Sequence, residues 1–109
     1  MKLLSRQEEM LLLAVWKLEA EAYGVKIKEH LMKVTGKDWA FGALFVMLDR
    51  LVNKGYLKSH LADPTPERGG RSKRIYNLTE SGRKALIEIK TIEQEMWRGI
   101  EDLETKTLI

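Results

Sequence analysis

Glu67-Arg68-Gly69-Gly70-Arg71-Ser72-Lys73-Arg74 places four cations and two adjacent glycines side by side, with no acid after Glu67. Runs with alternating apolar residues flank it, Tyr56 to Leu61 before and Ile75 to Leu78 after. Two such runs joined through a Gly-containing connection predict a β-hairpin. The glycine pair can adopt positive φ and reverse the chain. The cations then stand at the tip and on the returning strand, where no core can cover them. An Arg-tipped hairpin suits a polyanion, most simply a nucleic-acid backbone or a narrow minor groove. A solvated hairpin whose charges only confer solubility is the other reading, because basic runs alone are weak motifs. The flanking sequence decides between them.

Upstream, Trp39-Ala40-Phe41-Gly42 leads into a helix whose apolar positions, Leu44, Met47 or Leu48, Leu51 and Val52, recur at helical spacing. Asn53-Lys54-Gly55 stops it, with Gly55 at the C′ position. Before it, Tyr23-Gly24 opens another helix, with Val25, Ile27, Leu31 and Val34 as its apolar face and Gly36 as a left-handed cap. Two helices across a short turn predict a helix-turn-helix, the second helix being the recognition helix. Its N-terminal end carries Trp39, Ala40, Phe41, Ala43 and Phe45. Such residues can touch thymine methyls and sugars but offer no bidentate base contact. Phe41 and Phe45 fit the core as well as a DNA-facing surface.

Near the start, Ser5 and Glu8 fit a capping box. The run Met10 to Leu18 that follows is apolar nearly all round, so this helix is expected to be buried on more than one side. Glu19 to Ala22 make a turn. After the hairpin, Thr79 is a good N-cap, Glu80 suits the helix dipole, and Gly82 reads as a local weakness in the first turn. The last helix is expected to run to about Glu104. Leu86, Ile89, Glu93, Met96, Ile100 and Leu103 form a heptad seam, with Glu93 its one polar member. A long amphipathic helix after a small complete domain needs a partner surface, and another copy of itself is the simplest. The expected homodimer interface is therefore Leu86, Ile89, Ile92, Glu93, Met96, Trp97, Ile100 and Leu103, with Leu11 and Val15 of the first helix. Folding back onto that first helix is the alternative.

The chain has 109 residues, 44% of them hydrophobic and 32% charged, and no cysteine. That bounds it to one small unit with a core, no disulfide framework and no thiolate metal site. The expected division is a winged helix-turn-helix DNA-binding domain over 1–78 and a C-terminal dimerisation helix over 79–109, forming one compact unit. No apolar run reaches the ~20 residues of a membrane span, and the first residues do not read as a signal peptide, so a cytoplasmic protein is expected. The net charge is +3, and the positive excess lies before Arg83. His30 and His60 stand alone, without cysteine partners or a phosphate-cradling loop before a helix. Nothing therefore points to an enzyme, a metal or a cofactor.

The fold class is mainly α with a small β-hairpin: a winged helix-turn-helix with a C-terminal dimerisation helix. At this point the residues resemble the PadR-like transcriptional regulators over most of the chain. The likeness rests on Tyr23-Gly24-x-x-Ile27-x-x-x-Leu31, on Gly42-Ala43-Leu44-Phe45-x-x-Leu48-x-Arg50-Leu51, and on Gly55-Tyr56-Leu57. It rests most on Gly69-Gly70-Arg71-x-Lys73-Arg74-x-Tyr76-x-Leu78-Thr79-x-x-Gly82. The single C-terminal helix is similar to the smaller subfamily. The resemblance implies a homodimeric, sequence-specific DNA-binding regulator, most often a repressor, with the third helix in the major groove and the wing on backbone or minor groove. One departure is Phe45, where the family usually has Tyr; a phenyl ring cannot hydrogen-bond a phosphate.

The candidate DNA contacts are Lys37, Trp39, Ala40, Gly42, Ala43, Phe45 and Arg50 around the recognition helix, and Arg68, Gly69, Gly70, Arg71, Lys73 and Arg74 on the wing. The competing reading is a winged-helix protein-interaction module without DNA binding, whose wing would not need four cations. Trp97 carries two expectations. It fills the core against the first helix near Trp16, as an aromatic on an amphipathic helix usually does. Otherwise it meets its symmetry mate across a dimer axis and lines a slot for a small planar hydrophobic effector. The resemblance adds weight to the slot, since small regulators of this family can sense such compounds at the dimer centre.

Overall fold

A reciprocal cap starts α1 (Arg6–Leu18): Glu8 N donates to Ser5 Oγ at 3.1 Å, and Ser5 N donates to Glu8 Oε1 at 2.8 Å. The computed structural model describes residues 2–63, 72–100 and 102–108. A 3-10 turn over Glu19–Glu21 leads to α2 (Gly24–Thr35) and α3 (Phe41–Asn53). An antiparallel hairpin of β1 (Leu57–Leu61) and β2 (Arg74–Leu78) follows, and then α4 (Glu80–Trp97). This is the winged helix-turn-helix that the sequence predicts, with the turn, both glycine stops and the capping box in place.

Every element gives its apolar side to one core. Leu11, Leu12 and Val15 of α1 meet Ile27 and Leu31 of α2 and Leu44, Leu48 and Leu51 of α3. Leu57 of β1 and the Tyr76 ring of β2 close it. The apolar face of α2 is narrower than expected, since Val25 and Val34 are exposed. Ile27 and Leu31 stand one turn apart on one side, whereas Val25, two residues from Ile27, points elsewhere. Leu11 and Val15 are fully buried in the chain's own core, which removes them from any interface between copies. The apolar residues that α1 leaves exposed are Leu13 and Trp16.

Backbone bonds seat the wing on the helices. Tyr76 N donates to Ala22 O at 2.9 Å, fastening β2 to the α1–α2 connection. Leu57 pairs with Leu78 and Leu61 with Arg74, and Ala62 N donating to Lys73 O at 2.7 Å carries the ladder one step further. Thr79 then caps α4, accepting from Gly82 N at 3.0 Å while its hydroxyl donates to Gly55 O at 2.5 Å. Gly82 is a requirement here, not a weakness. A Cβ there would strike the Tyr56 carbonyl oxygen and come within 2.7 Å of Leu78 Cδ1.

α4 is shorter than expected. It ends at Trp97, where Arg98 turns extended (φ −56, ψ 128) and Gly99 takes φ +80. A glycine two positions past the last helical residue is an ordinary C-terminal signal, and here it outweighs the heptad pattern running across it. Ile100 and Leu103 therefore lie beyond the helix, so the seam is helical only from Leu86 to Met96. Ala85, Leu86 and Ile89 pack against the core, while Ile92, Met96 and Trp97 are exposed. Trp97, 56% exposed, does not fill the chain's core beside Trp16. No helix among the described residues is long and apolar enough to cross a membrane.

Candidate nucleic-acid interface

Gly36 closes α2 in the left-handed region (φ 73), its N–H donating to Met32 O at 2.8 Å. Thr35 ties the turn down by donating to Leu31 O at 2.7 Å and accepting from Lys37 N at 3.1 Å. Ala40 is extended and supplies no side-chain cap to α3. The first N–H groups of α3 are thus left for an anion, beside exposed Lys37.

With Leu44, Leu48 and Leu51 turned inward, the outer face of α3 carries Gly42, Ala43, Val46, Asp49, Arg50 and Asn53, all exposed. Val46, 51% exposed, is the residue that sequence reasoning missed. Its signal was its position midway between Leu44 and Leu48 on the opposite side of the helix. Gly42 and Ala43 leave a low surface at the helix start, where the backbone can approach a base pair closely.

Phe41 and Phe45 divide their roles. Their rings stack at 6.1 Å with 18° between planes, and each is 42% exposed. The inner side of Phe45 meets α2, where a Cβ on Gly24 would fall 2.7 Å from Phe45 Cζ. Lys28 Nζ sits 4.3 Å over the Phe41 ring and 3.3 Å from Asp38 Oδ1. The pair thus fixes α2 against α3 with one side and offers apolar surface with the other. Trp39 is half-buried against the core, which leaves only part of it outside.

The described part of the wing places Lys73 and Arg74 differently. Arg74 is exposed and donates to Ser59 Oγ at 3.0 Å across the hairpin. Lys73 Nζ lies 3.8 Å over the Tyr23 ring at the start of α2, which holds it near the base of the wing. Arg68, Gly69, Gly70 and Arg71 lie outside the described residues. Lys54 is drawn away from the α3 surface, 2.5 Å from Glu8 Oε2.

A second surface lies between α1 and α4. Exposed Leu13 and Trp16 join Ile87 around a cleft of about 570 Å³ that Glu9, Leu86, Lys90 and Glu93 also line. Glu93, expected in an interface between copies, binds within the chain: Arg6 Nη1 is 3.1 Å from Glu93 Oε1 and 3.1 Å from Glu9 Oε1. Burial pushes the Glu9 carboxyl above its usual range, the charge and hydrogen bond of Glu93 push it further, and Arg6 opposes them. Among the described residues no cluster could hold a metal ion.

Residues 12–88 match the family described as the transcriptional regulator PadR-like family. No curated protein matches the chain in sequence. Among solved structures, RosR of H. salinarum is 27% identical, with a TM-score of 0.72 over 88% of this chain and 79% of that one. A PadR-like transcription factor of B. fragilis is 25% identical, with a TM-score of 0.67 over 89% of this chain and 92% of that one. A PadR family regulator of Eggerthella lenta shares the fold at 24% identity, with a TM-score of 0.67 over 93% of this chain and 87% of that one.

Proposed function

Because the chain belongs to the PadR-like family of transcriptional regulators, we propose that it is a homodimeric repressor that binds a double-stranded operator through α3 and the wing. The observation that supports this most is the outer face of α3. It turns Gly42, Ala43, Val46 and Arg50 to solvent, and the side opposite is fully spent on the core. A helix with small and apolar residues at its leading end can lie deep in the major groove and read thymine methyls. Arg50 and Lys37 supply phosphate contacts, as do Arg74 and the wing cations Arg68 and Arg71.

The homodimer follows from α4. Beyond Ile89 its apolar residues Ile92, Met96 and Trp97 have no core to cover them, and Leu13 and Trp16 on α1 are exposed as well. Such a surface suits a two-fold mate. A two-fold dimer also gives the repeated half-site spacing that helix-turn-helix operators need. The proposed interface is Leu86, Ile89, Ile92, Met96 and Trp97 with Leu13 and Trp16, and Trp97 is placed to meet a small planar hydrophobic effector near the axis.

The test is a gel-shift titration with DNA upstream of the chain's own gene, paired with sedimentation. The expected result is a saturable shift at dimer stoichiometry that competitor DNA of unrelated sequence does not remove. Equal binding to any duplex, or none, leaves the regulator without an operator and refutes the reading.

A further inference from the structure

A second cleft opens on the other side of α1, between the end of that helix, the Glu19–Glu21 turn and the wing. Its volume is about 670 Å³, and no residue of α3 lines it. That size lies within the ~300–1,000 Å³ of small-molecule sites. The residues that give it character are Trp16, Glu19, Glu21, Tyr23, His60 and Lys73.

The chemistry of this lining is uneven. Trp16 is 63% exposed, so most of its indole is free to be covered. Two carboxylates, Glu19 and Glu21, stand against one ammonium, Lys73. Neither glutamate forms an ion pair among the described residues. Glu19 has positive φ (51), the one described non-glycine residue to do so, and its carbonyl accepts from Ala22 N at 3.2 Å. The turn therefore fixes the acids at the mouth of the cleft and does not fold them onto a cation of the chain. Lys73 shows what such a lining accepts: its ammonium already rests 3.8 Å over the Tyr23 ring at the cleft's edge. The Trp16 face has no such occupant.

An aromatic face beside two unpaired carboxylates is suited to a cation with an apolar body. The ring quadrupole attracts the charge, the carboxylates neutralise it, and the indole covers the alkyl groups. We propose that this cleft is a binding site for a small organic ammonium ion, its charge shared by Glu19 and Glu21 and its alkyl groups laid on Trp16. The site adjoins the wing but does not include the helix proposed to read DNA, so its test needs no DNA.

The probe is choline, titrated into nitrogen-15-labelled protein. The indole N–H resonance of Trp16 is identified by its loss in Trp16→Phe. The expected result is a saturable shift of that resonance. The uncharged isostere 3,3-dimethylbutan-1-ol should leave it in place, and Glu19→Gln with Glu21→Gln should weaken choline binding about three- to tenfold. Glu21→Gln alone serves if the double variant loses its circular dichroism. The proposal is overturned if Trp16 does not respond to choline, if the isostere binds as well, or if the glutamine variants bind choline as tightly as the parent chain.

Discussion

The carboxyl group of Glu9 on α1 faces that of Glu93 on α4, and Arg6 holds one oxygen of each at 3.1 Å. Glu9 is buried, and its pKa is raised above 4.5 by that burial first and by Glu93 second. The folded chain then holds more protons than the unfolded one between 4.5 and the raised value, so stability grows as pH falls through that interval and is lowest where Glu9 is ionised. Glu9→Gln, which keeps the shape without the charge, should melt higher than the parent at pH 7 and show no advantage near pH 4.5. A lower melting temperature at pH 7 would mean that the Arg6 bond outweighs the burial of the charge.

The neighbouring residue behaves oppositely. Burial raises the Glu8 carboxyl, but the Lys54 ammonium and the Ser5 bonds outweigh it, and the net shift is downward from 4.5. Its contribution is present above that value and is lost as pH falls through the lowered one. Glu8→Gln should cost about 1 kcal/mol at pH 7 through the cap and the Lys54 bridge, and nothing once the carboxyl is protonated. Urea titrations at pH 7 and pH 3 check this; a cost that persists unchanged at pH 3 is inconsistent with it.

Gly82→Ala forces a Cβ against the Tyr56 carbonyl oxygen, which is backbone and cannot turn aside, and against Leu78. The expected loss is about 1–3 kcal/mol, the cost of overpacking a closed contact. An exposed helical glycine would instead gain up to ~1 kcal/mol from the same change. The sign of the shift in denaturant midpoint therefore decides whether α4 rests on the wing as described.

On the proposed DNA surface, Val46→Glu and Arg74→Ala separate two kinds of contact. Both residues are exposed, so neither change should move the melting temperature appreciably. Val46→Glu sets a carboxylate in the major groove and should reduce operator binding more than about tenfold. Arg74→Ala should weaken binding to all duplexes alike and flatten the salt dependence by about one unit. Operator affinity unaffected by Val46→Glu would take α3 out of the groove.

Most of this architecture was legible because it is written locally. Ser5 and Glu8, Gly36, Gly55 and Thr79 each act within a turn of their own position, and Leu44, Leu48 and Leu51 repeat at helical spacing. What was misread depends on distant contacts. Gly82 looks like a helix defect until the Tyr56 carbonyl is set beside it. Leu11 and Val15 looked available for a partner because nothing in the α1 run says which side α2 and α3 will cover. The heptad pattern hid the stop at Gly99 because a seam counts side chains and ignores the backbone. Lys73 was read as a free wing cation; its placement over Tyr23 joins residues fifty positions apart.

The proposed dimer can be broken without breaking the fold. Met96 is 71% exposed in the single chain, so Met96→Asp leaves the core untouched. In a two-fold interface the same change buries a charge. The expected result is a monomer with unchanged helicity by circular dichroism, and sedimentation reads it. A folded Met96→Asp chain of undiminished mass would place the interface elsewhere than α4.

Trp97 tests what that interface is for. Were it a core residue, Trp97→Ala would cost the chain about 3–5 kcal/mol. At 56% exposure and on the last turn of α4 it has no such core to leave. The stability of the folded protomer should therefore change by less than about 1 kcal/mol when measured in the monomeric Met96→Asp background. In the dimer, two indoles near the axis offer broad faces that can close on each other or on a flat guest. A planar hydrophobic dye should then quench the emission of a chain whose other tryptophans are replaced (Trp16→Phe, Trp39→Phe), saturably and at one dye per dimer. Trp97→Ala should abolish that binding while sedimentation still shows the dimer. Dye binding that survives Trp97→Ala, or that proceeds equally well in monomeric Met96→Asp, would separate the effector from the axis and return Trp97 to a purely packing role between the two copies.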